Sequence, residues 1–358
     1  MVRSTVFSIV FIFISIISYA QDTALLRGYL LQHRYTIDLK SRHAFDMLPV
    51  LMKGKNLFVL GEGGSHELDL YTPLKSGILD QLVKQNLKYF FLELGRSTSS
   101  ILDKYLHSQT DTCSSAFTNY CDICTHEKFY LQKGTNFKIV GIDFEIRIDF
   151  YTNINALFRH ADLEKLPVTR AFLANLMDST VLKMTHKDFM KFYRKKRKEF
   201  YENKIAIKQE LGDKSNELEY LVTNHNTTRP NLDRNPAMTR NLLHEITPLD
   251  TSAVYFLTIG MAHSLPCEHY SLVHKLSRTE QLKNRILVMN LHCDNCSVNG
   301  EKLEVKSPMR FLNHQDILNC FRSAANSELV LFDLSQLPPE FSNIKKYGDL
   351  LLFAKNQH

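Results

Sequence analysis

The chain has 358 residues, 44% apolar and 23% charged, enough to bury a full α/β core and too apolar to be intrinsically disordered. Its formal charge of +6 reads as spread over many helices. The one dense run, Arg194-Lys195-Lys196-Arg197-Lys198, lies among Phe192, Tyr193, Phe200 and Tyr201 at helical spacing, so it reads as a solvated helix face and not as a nucleic-acid patch.

Residues 1–20 read as an export signal. Arg3 supplies the positive start, Val6 to Ile17 the apolar centre, and Ser18-Tyr19-Ala20 the cleavage site before Gln21. The apolar centre is too short to cross a bilayer comfortably, and no cysteine follows the cleavage site. The expectation is an exported protein, periplasmic or secreted, with no stable membrane anchor. Residues 21–358 then form one α/β domain.

Residues 22–52 read as helical, with Leu25, Leu26, Leu30 and Leu31 as an apolar stripe. At 57–60 an apolar run of the kind that makes a buried strand ends in Gly61-Glu62-Gly63-Gly64-Ser65-His66. A helix follows, with Thr72 as cap, Pro73 at the first helical position, and Leu74, Ile78, Leu79, Leu82 and Val83 at helical spacing. The glycines let the backbone turn and admit a ligand close to it. No Lys-Ser/Thr follows them and Glu62 repels phosphate, so this is not a phosphate loop.

Further strand-like runs fall at 89–92, 137–142, 254–259, 286–290, 328–332 and 349–353, with helical patterns between them. The expected fold is α/β, a mainly parallel sheet flanked by helices. Two stretches interrupt it. Residues 107–136 are polar and cysteine-bearing and read as a loop. Residues 150–250 hold only helical patterns, such as Phe172, Leu173 and Leu176, or Leu211, Leu218 and Leu221, and read as a large helical insertion of the kind that covers a site.

Seven cysteines are present. Cys121-x-x-Cys124 and Cys293-x-x-Cys296, with His126 and His292 nearby, have spacing that zinc accepts. Export favours the other reading, one or two disulfides that pin loops, with Cys113, Cys267 and Cys320 as further thiols.

The ends of four strands carry chemistry. The first gives Glu62 and His66, and the second Glu93. The third ends in Gly141-Ile142-Asp143-Phe144-Glu145, and the fourth in Gly260-Met261-Ala262-His263-Ser264. Open α/β sheets place their chemistry beyond the carboxyl ends of strands, and carboxylates with imidazoles are the parts of an acid/base device. A serine nucleophile, Ser65 or Ser264, is the competing mechanism, but neither lies in G-x-S-x-G.

Leu60-Gly61-Glu62 with His66, Phe91-Leu92-Glu93, Arg234 with Met238 and Asn241, and Gly260-Met261-Ala262-His263 resemble, in order, the motif series of the erythromycin esterase-like proteins. That family belongs to a wider superfamily with the Tiki, TraB and ChaN proteins. The resemblance implies an α/β core with a helical portion and a cleft that holds two histidines and two glutamates. It implies a hydrolase that opens an ester or lactone of a small-molecule substrate without a metal or other cofactor. Carried over, His66 is the base that activates water, Glu62 and Glu93 orient it or tune its charge, and His263 and Arg234 hold the substrate or the developing oxyanion. Glu145, at the third strand end, reads as a further substrate contact. Two departures stand out. Glu62 and His66 are four steps apart where the family has three, with Glu67 following, and Asn235 follows Arg234 where the family has an acidic residue. The substrate and the oligomeric state stay open. Two other classes remain: a Tiki-like metal-dependent peptidase, and a non-enzymatic binder of haem or another small molecule, with the aromatic helix near Phe189 and Tyr201 lining an apolar cleft.

Overall fold

Each apolar run read as a strand is a strand in the computed structural model, which describes residues 22–63, 70–107, 136–144, 147–224, 234–247, 249–294, 297–298, 301–302 and 307–355. In chain order the strands are β1 (Arg34–Thr36), β2 (Leu57–Glu62), β3 (Leu87–Gly95), β4 (Lys138–Asp143) and β5 (Val254–Gly260). Then come β6 (Ile286–Asp294), β7 (Ser297–Val298), β8 (Glu301–Lys302), β9 (Leu329–Asp333) and β10 (Leu350–Lys355). The protein is α/β, with mainly parallel sheet flanked by helices. β1 and the β7–β8 hairpin were not foreseen, because two or three residues are too short to show a period.

The chain divides into two compact units, one formed by the chain up to Asn86 and from Thr251 onward, the other by Leu87–Asp250. In the first unit the strand order is β1-β9-β10-β6-β2-β5. β2 pairs in parallel with β5 and with β6, and β10 pairs in parallel with β6. β9 runs antiparallel to β10, and β1 antiparallel to β9. All six residues of β2 are buried, as the uninterrupted apolar run of a strand covered on both faces requires. One apolar layer of this unit joins Leu26, Leu30, Met261, Phe321, Phe332 and Phe353. Leu25 and Leu31 are 46% and 40% exposed, so the stripe of helix 22–32 is narrower than the sequence implied. The helix after β2 is Tyr71–Val83, and its N-cap is Leu70 and not Thr72. Pro73 is tolerated inside its first turn because the N–H it lacks has no partner within the helix.

In the second unit β3 and β4 pair in parallel with a register shift between Leu92 and Gly95. That irregularity needs Gly141, where an added Cβ would lie 2.4 Å from the Gly95 carbonyl oxygen. From 147 to 247 the described residues contain helices and no strand. The longest helix, His186–Leu211, is capped by Thr185, whose Oγ1 accepts the Asp188 N–H at 3.2 Å, and it ends at Gly212 with φ +57°. Phe189, Tyr193 and Phe200 on its inner face are fully buried, and Phe150 meets the Tyr193 ring edge-on at 5.5 Å. These rings fill a helical core, while Tyr201 lies outside it and is half-exposed. The same helix holds nine Lys or Arg and four Asp or Glu, so the positive charge is concentrated here and not spread over many helices. Lys196 is the exception to its solvated face. It is buried and donates to the Phe172 carbonyl at 2.6 Å.

No helix among the described residues is long and apolar enough to cross a membrane. Cys293 is disulfide-bonded, with its partner outside the described residues. Cys267 and Cys320 are free thiols, both pushed up by burial. Cys113, Cys121, Cys124, His126 and Cys296 lie outside the described residues, as do the export signal and most of the 107–136 loop.

Candidate active site

β2 delivers Glu62 to the carboxyl end of its strand, and Glu62 is buried there. Such a carboxylate needs a counter-charge, and the helix Tyr71–Val83 supplies Lys75, itself buried, with Nζ 2.8 Å from Glu62 Oε1. Tyr71 lies beside the pair, and its hydroxyl donates to the Gly63 carbonyl at 2.7 Å. Burial, and then the Glu62 charge, hold the Tyr71 phenol well above its ordinary pKa of 10.0, so it stays a donor.

The glycines around Glu62 serve close packing inside the protein. A Cβ at Gly61 would lie 1.9 Å from Asn290 Oδ1 and 2.2 Å from Ser264 Oγ, and one at Gly63 would lie 2.1 Å from the Leu291 carbonyl oxygen. The space that was read as room for a ligand therefore belongs to neighbouring residues at these two positions. Ser264 is fully buried and donates towards Asn290 Oδ1, while Asn290 donates to the Tyr347 carbonyl at 2.7 Å. A hydroxyl held in this way has no substrate access, which removes Ser264 as a nucleophile.

His263 sits on the one-turn helix Met261–Ser264 directly after β5, and its side chain is half-buried. Glu62 stands opposite Gly260 in the β2–β5 register, so the carboxylate and the histidine segment occupy adjacent strand ends of one unit. His66, Ser65 and Glu67 lie outside the described residues.

The second unit carries its own cluster. Glu93 lies within the irregular end of β3, and buried Asp143 ends β4. Arg234, the residue that precedes helix Asn235–Glu245, joins them: Nη2 donates to Glu93 Oε1 and Nη1 to Asp143 Oδ2. Asn224 donates to the Asp143 carbonyl at 2.8 Å, and Asn241 donates to the Ile142 carbonyl at 2.8 Å and to Asn224 Oδ1 at 3.0 Å. Asn241 therefore holds the end of β4. Arg234 was expected to hold a substrate or an oxyanion, but two of its terminal nitrogens are committed to carboxylates.

The sequence does not single out Tyr71, Lys75, Asp143 or Asn224. Asp143 stands two positions before Glu145, the residue the sequence favours at this strand end, and Glu145 lies outside the described residues. Lys75 follows Leu74 on the buried side of its helix, and a cation in that place signals a buried partner. Asn224 ends a helix and showed no signal. Among the described residues no group of three His, Cys, Asp or Glu is placed to hold a metal ion.

No family model and no curated protein matches the chain. Solved structures do match it. A Bacillus cereus protein aligns over 93% of this chain and 97% of its own with a TM-score of 0.63 at 13% identity. A succinoglycan biosynthesis protein aligns over 92% and 96% with a TM-score of 0.59 at 10% identity. A variant of the erythromycin esterase EreC in its open conformation aligns over 90% and 95% with a TM-score of 0.54 at 15% identity. At these identities the likeness is one of fold, and it reaches nearly the whole of each partner.

Proposed function

We propose that the chain is an exported hydrolase that adds water to an ester or lactone of a small molecule by histidine–glutamate acid/base catalysis. The observation that carries the reading is the buried, ion-paired Glu62 at the strand end adjacent to the His263 segment. A carboxylate held there by Lys75 is a fixed acceptor for a catalytic imidazole or a water. The fold likeness to an erythromycin esterase supports the same reaction class.

His66 takes a proton from water, and the hydroxide forms a bond to the carbonyl carbon. Glu62 orients the base and stabilises the imidazolium. His263 donates to the oxyanion, a contribution typically worth ~3–4 kcal/mol for one donor. The carbon–oxygen bond of the ester then breaks, and the imidazolium returns its proton to the leaving alkoxide, which gives a carboxylic acid and an alcohol. Arg234 acts by fixing Glu93 and Asp143, and Glu145 contacts the substrate. No step calls on a metal.

The test is hydrolysis of a panel of esters and lactones by the mature chain, expected to begin at Gln21. His66→Ala abolishes turnover, a loss of ~10²–10⁴-fold for a general base, with the unfolding midpoint unchanged. His263→Ala lowers it strongly, and EDTA has no effect. Full activity in His66→Ala sinks the mechanism. Activity lost to EDTA and restored by Mn²⁺ or Co²⁺ assigns the chain to metal-dependent peptidases or esterases instead.

A further inference from the structure

The helix His186–Leu211 presents two opposite faces. Its inner face is locked into the core by Phe189, Tyr193, Phe200 and Ile207. Its outer face carries Lys187, Lys191, Arg194 and Lys198, then Tyr201 and Ile205, at spacings that alternate four and three. All six are exposed, and Lys208 extends the row. Such spacing keeps one straight seam facing outward, over ~27 Å at 1.5 Å per residue. Arg194, Arg197, Lys198, Tyr201 and Glu202 line an open depression on this side. Glu202 is the acid on the face, and it lies 3.6 Å from Lys198 as an i,i+4 pair. The Arg197 guanidinium lies 5.9 Å from the centre of the Tyr201 ring.

A solvated face needs cations but has no use for a large bare aliphatic group. Ile205 is 78% exposed and Tyr201 is 49% exposed, and both continue the cationic seam. A polyanion such as nucleic acid satisfies the cations and leaves Ile205 in water. An anionic bilayer surface satisfies both, since headgroup phosphates meet the cations while Tyr201 and Ile205 enter the headgroup–acyl boundary. We propose that this face is a reversible docking surface for anionic phospholipid membranes. The proposal is independent of any hydrolytic activity.

The test is sedimentation of the mature chain with vesicles of pure phosphatidylcholine and with vesicles in which a quarter of the lipid is phosphatidylglycerol. Binding is expected only to the anionic vesicles, and it disappears at high salt. Each cation near the surface contributes roughly five-fold, so the triple variant Lys191→Gln, Arg194→Gln, Lys198→Gln lowers partitioning roughly 100-fold. Ile205→Asp lowers it roughly ten-fold. Lys53→Gln with Lys84→Gln, exposed cations elsewhere, changes nothing. The substituted positions are exposed, and an unchanged unfolding midpoint confirms that each variant is folded. Equal binding to both vesicle types, or binding untouched by the triple variant, overturns the proposal. Retention on a soluble polyanion without vesicle binding also overturns it and assigns the face to polyanions.

Discussion

Replacing Lys75 by Met tests the first cluster at its energetic centre. The side chains of Lys75 and Glu62 are 8% and 6% exposed, and the charged atoms are 2.8 Å apart. At an effective dielectric of about 20 and this separation, the attraction is about 6 kcal/mol. Both charges lost their hydration to reach it, so the pair is not worth that much to the fold. Removing one partner is another matter, because it takes from buried Glu62 the cation that lies 2.8 Å from it. Lys75→Met is therefore expected to cost about 3–5 kcal/mol. Glu62→Gln with Lys75→Met removes both charges, and most of the stability returns, with a coupling of about 2 kcal/mol or more between the two sites. Urea unfolding is the assay, followed by far-ultraviolet circular dichroism because the chain has no Trp. A loss below about 1 kcal/mol for Lys75→Met, or single effects that simply add, refutes the account of Glu62 as a carboxylate held by Lys75.

Gly61→Ala forces a Cβ to within 1.9 Å of Asn290 Oδ1, and the overpacking is expected to cost about 1–3 kcal/mol in urea, part of it recovered by Asn290→Ala. Burial holds the His292 pKa down to about 4, against the opposing pull of Asp294. Between its ordinary value of 6.5 and that lower one the unfolded chain binds the extra proton, so stability falls as pH falls. A loss of about 2 kcal/mol between neutral pH and about pH 4.5 is expected, and His292→Gln flattens that slope in the same assay. Arg234→Met leaves Glu93 and Asp143 without their shared donor and is expected to cost about 2–3 kcal/mol, while Arg234→Lys restores less than half because an ammonium cannot span two carboxylates as a guanidinium does.

The parallel strands were legible because a strand covered on both faces is written as an unbroken apolar run, as Leu57-Phe58-Val59-Leu60 shows. β1 was not, since Arg34, Tyr35 and Thr36 join the sheet by backbone pairing to β9 and their side chains carry no pattern. The antiparallel sense of β9 against β10 was hidden for a related reason: a run such as Leu329-Val330-Leu331-Phe332 records burial and says nothing of direction. Glycine misled in one respect. Gly61, Gly63 and Gly141 each admit another part of the protein, and a sequence shows that space is needed without showing what fills it. Candidate chemistry at strand ends was easier to find, because a carboxylate after a buried strand is conspicuous. Which carboxylate matters was harder. Asp143 and Glu145 differ by two positions, and only the arrival of Arg234 from a helix ninety-one residues further along distinguishes Asp143.

That arrival also changes what Arg234 contributes. A lone guanidinium at a strand end attracts anions and fits a substrate that carries carboxylate or phosphate. Here one positive charge is set against the two negative charges of Glu93 and Asp143, so the three groups together carry a net charge of −1. Taken by themselves these three groups repel an incoming anion at short range, and the guanidinium forks that recognise anions are already occupied in part by carboxylates. In the first unit the Glu62–Lys75 pair, taken by itself, sums to zero. On these charges alone, the proposed substrate is better neutral or cationic than acidic. An uncharged ester or lactone, the substrate class proposed above, meets no electrostatic penalty at such a cluster, and under that proposal the negative charge that arises during hydrolysis is met by a histidine. That is the role proposed above for His263, the half-buried imidazole that follows β5.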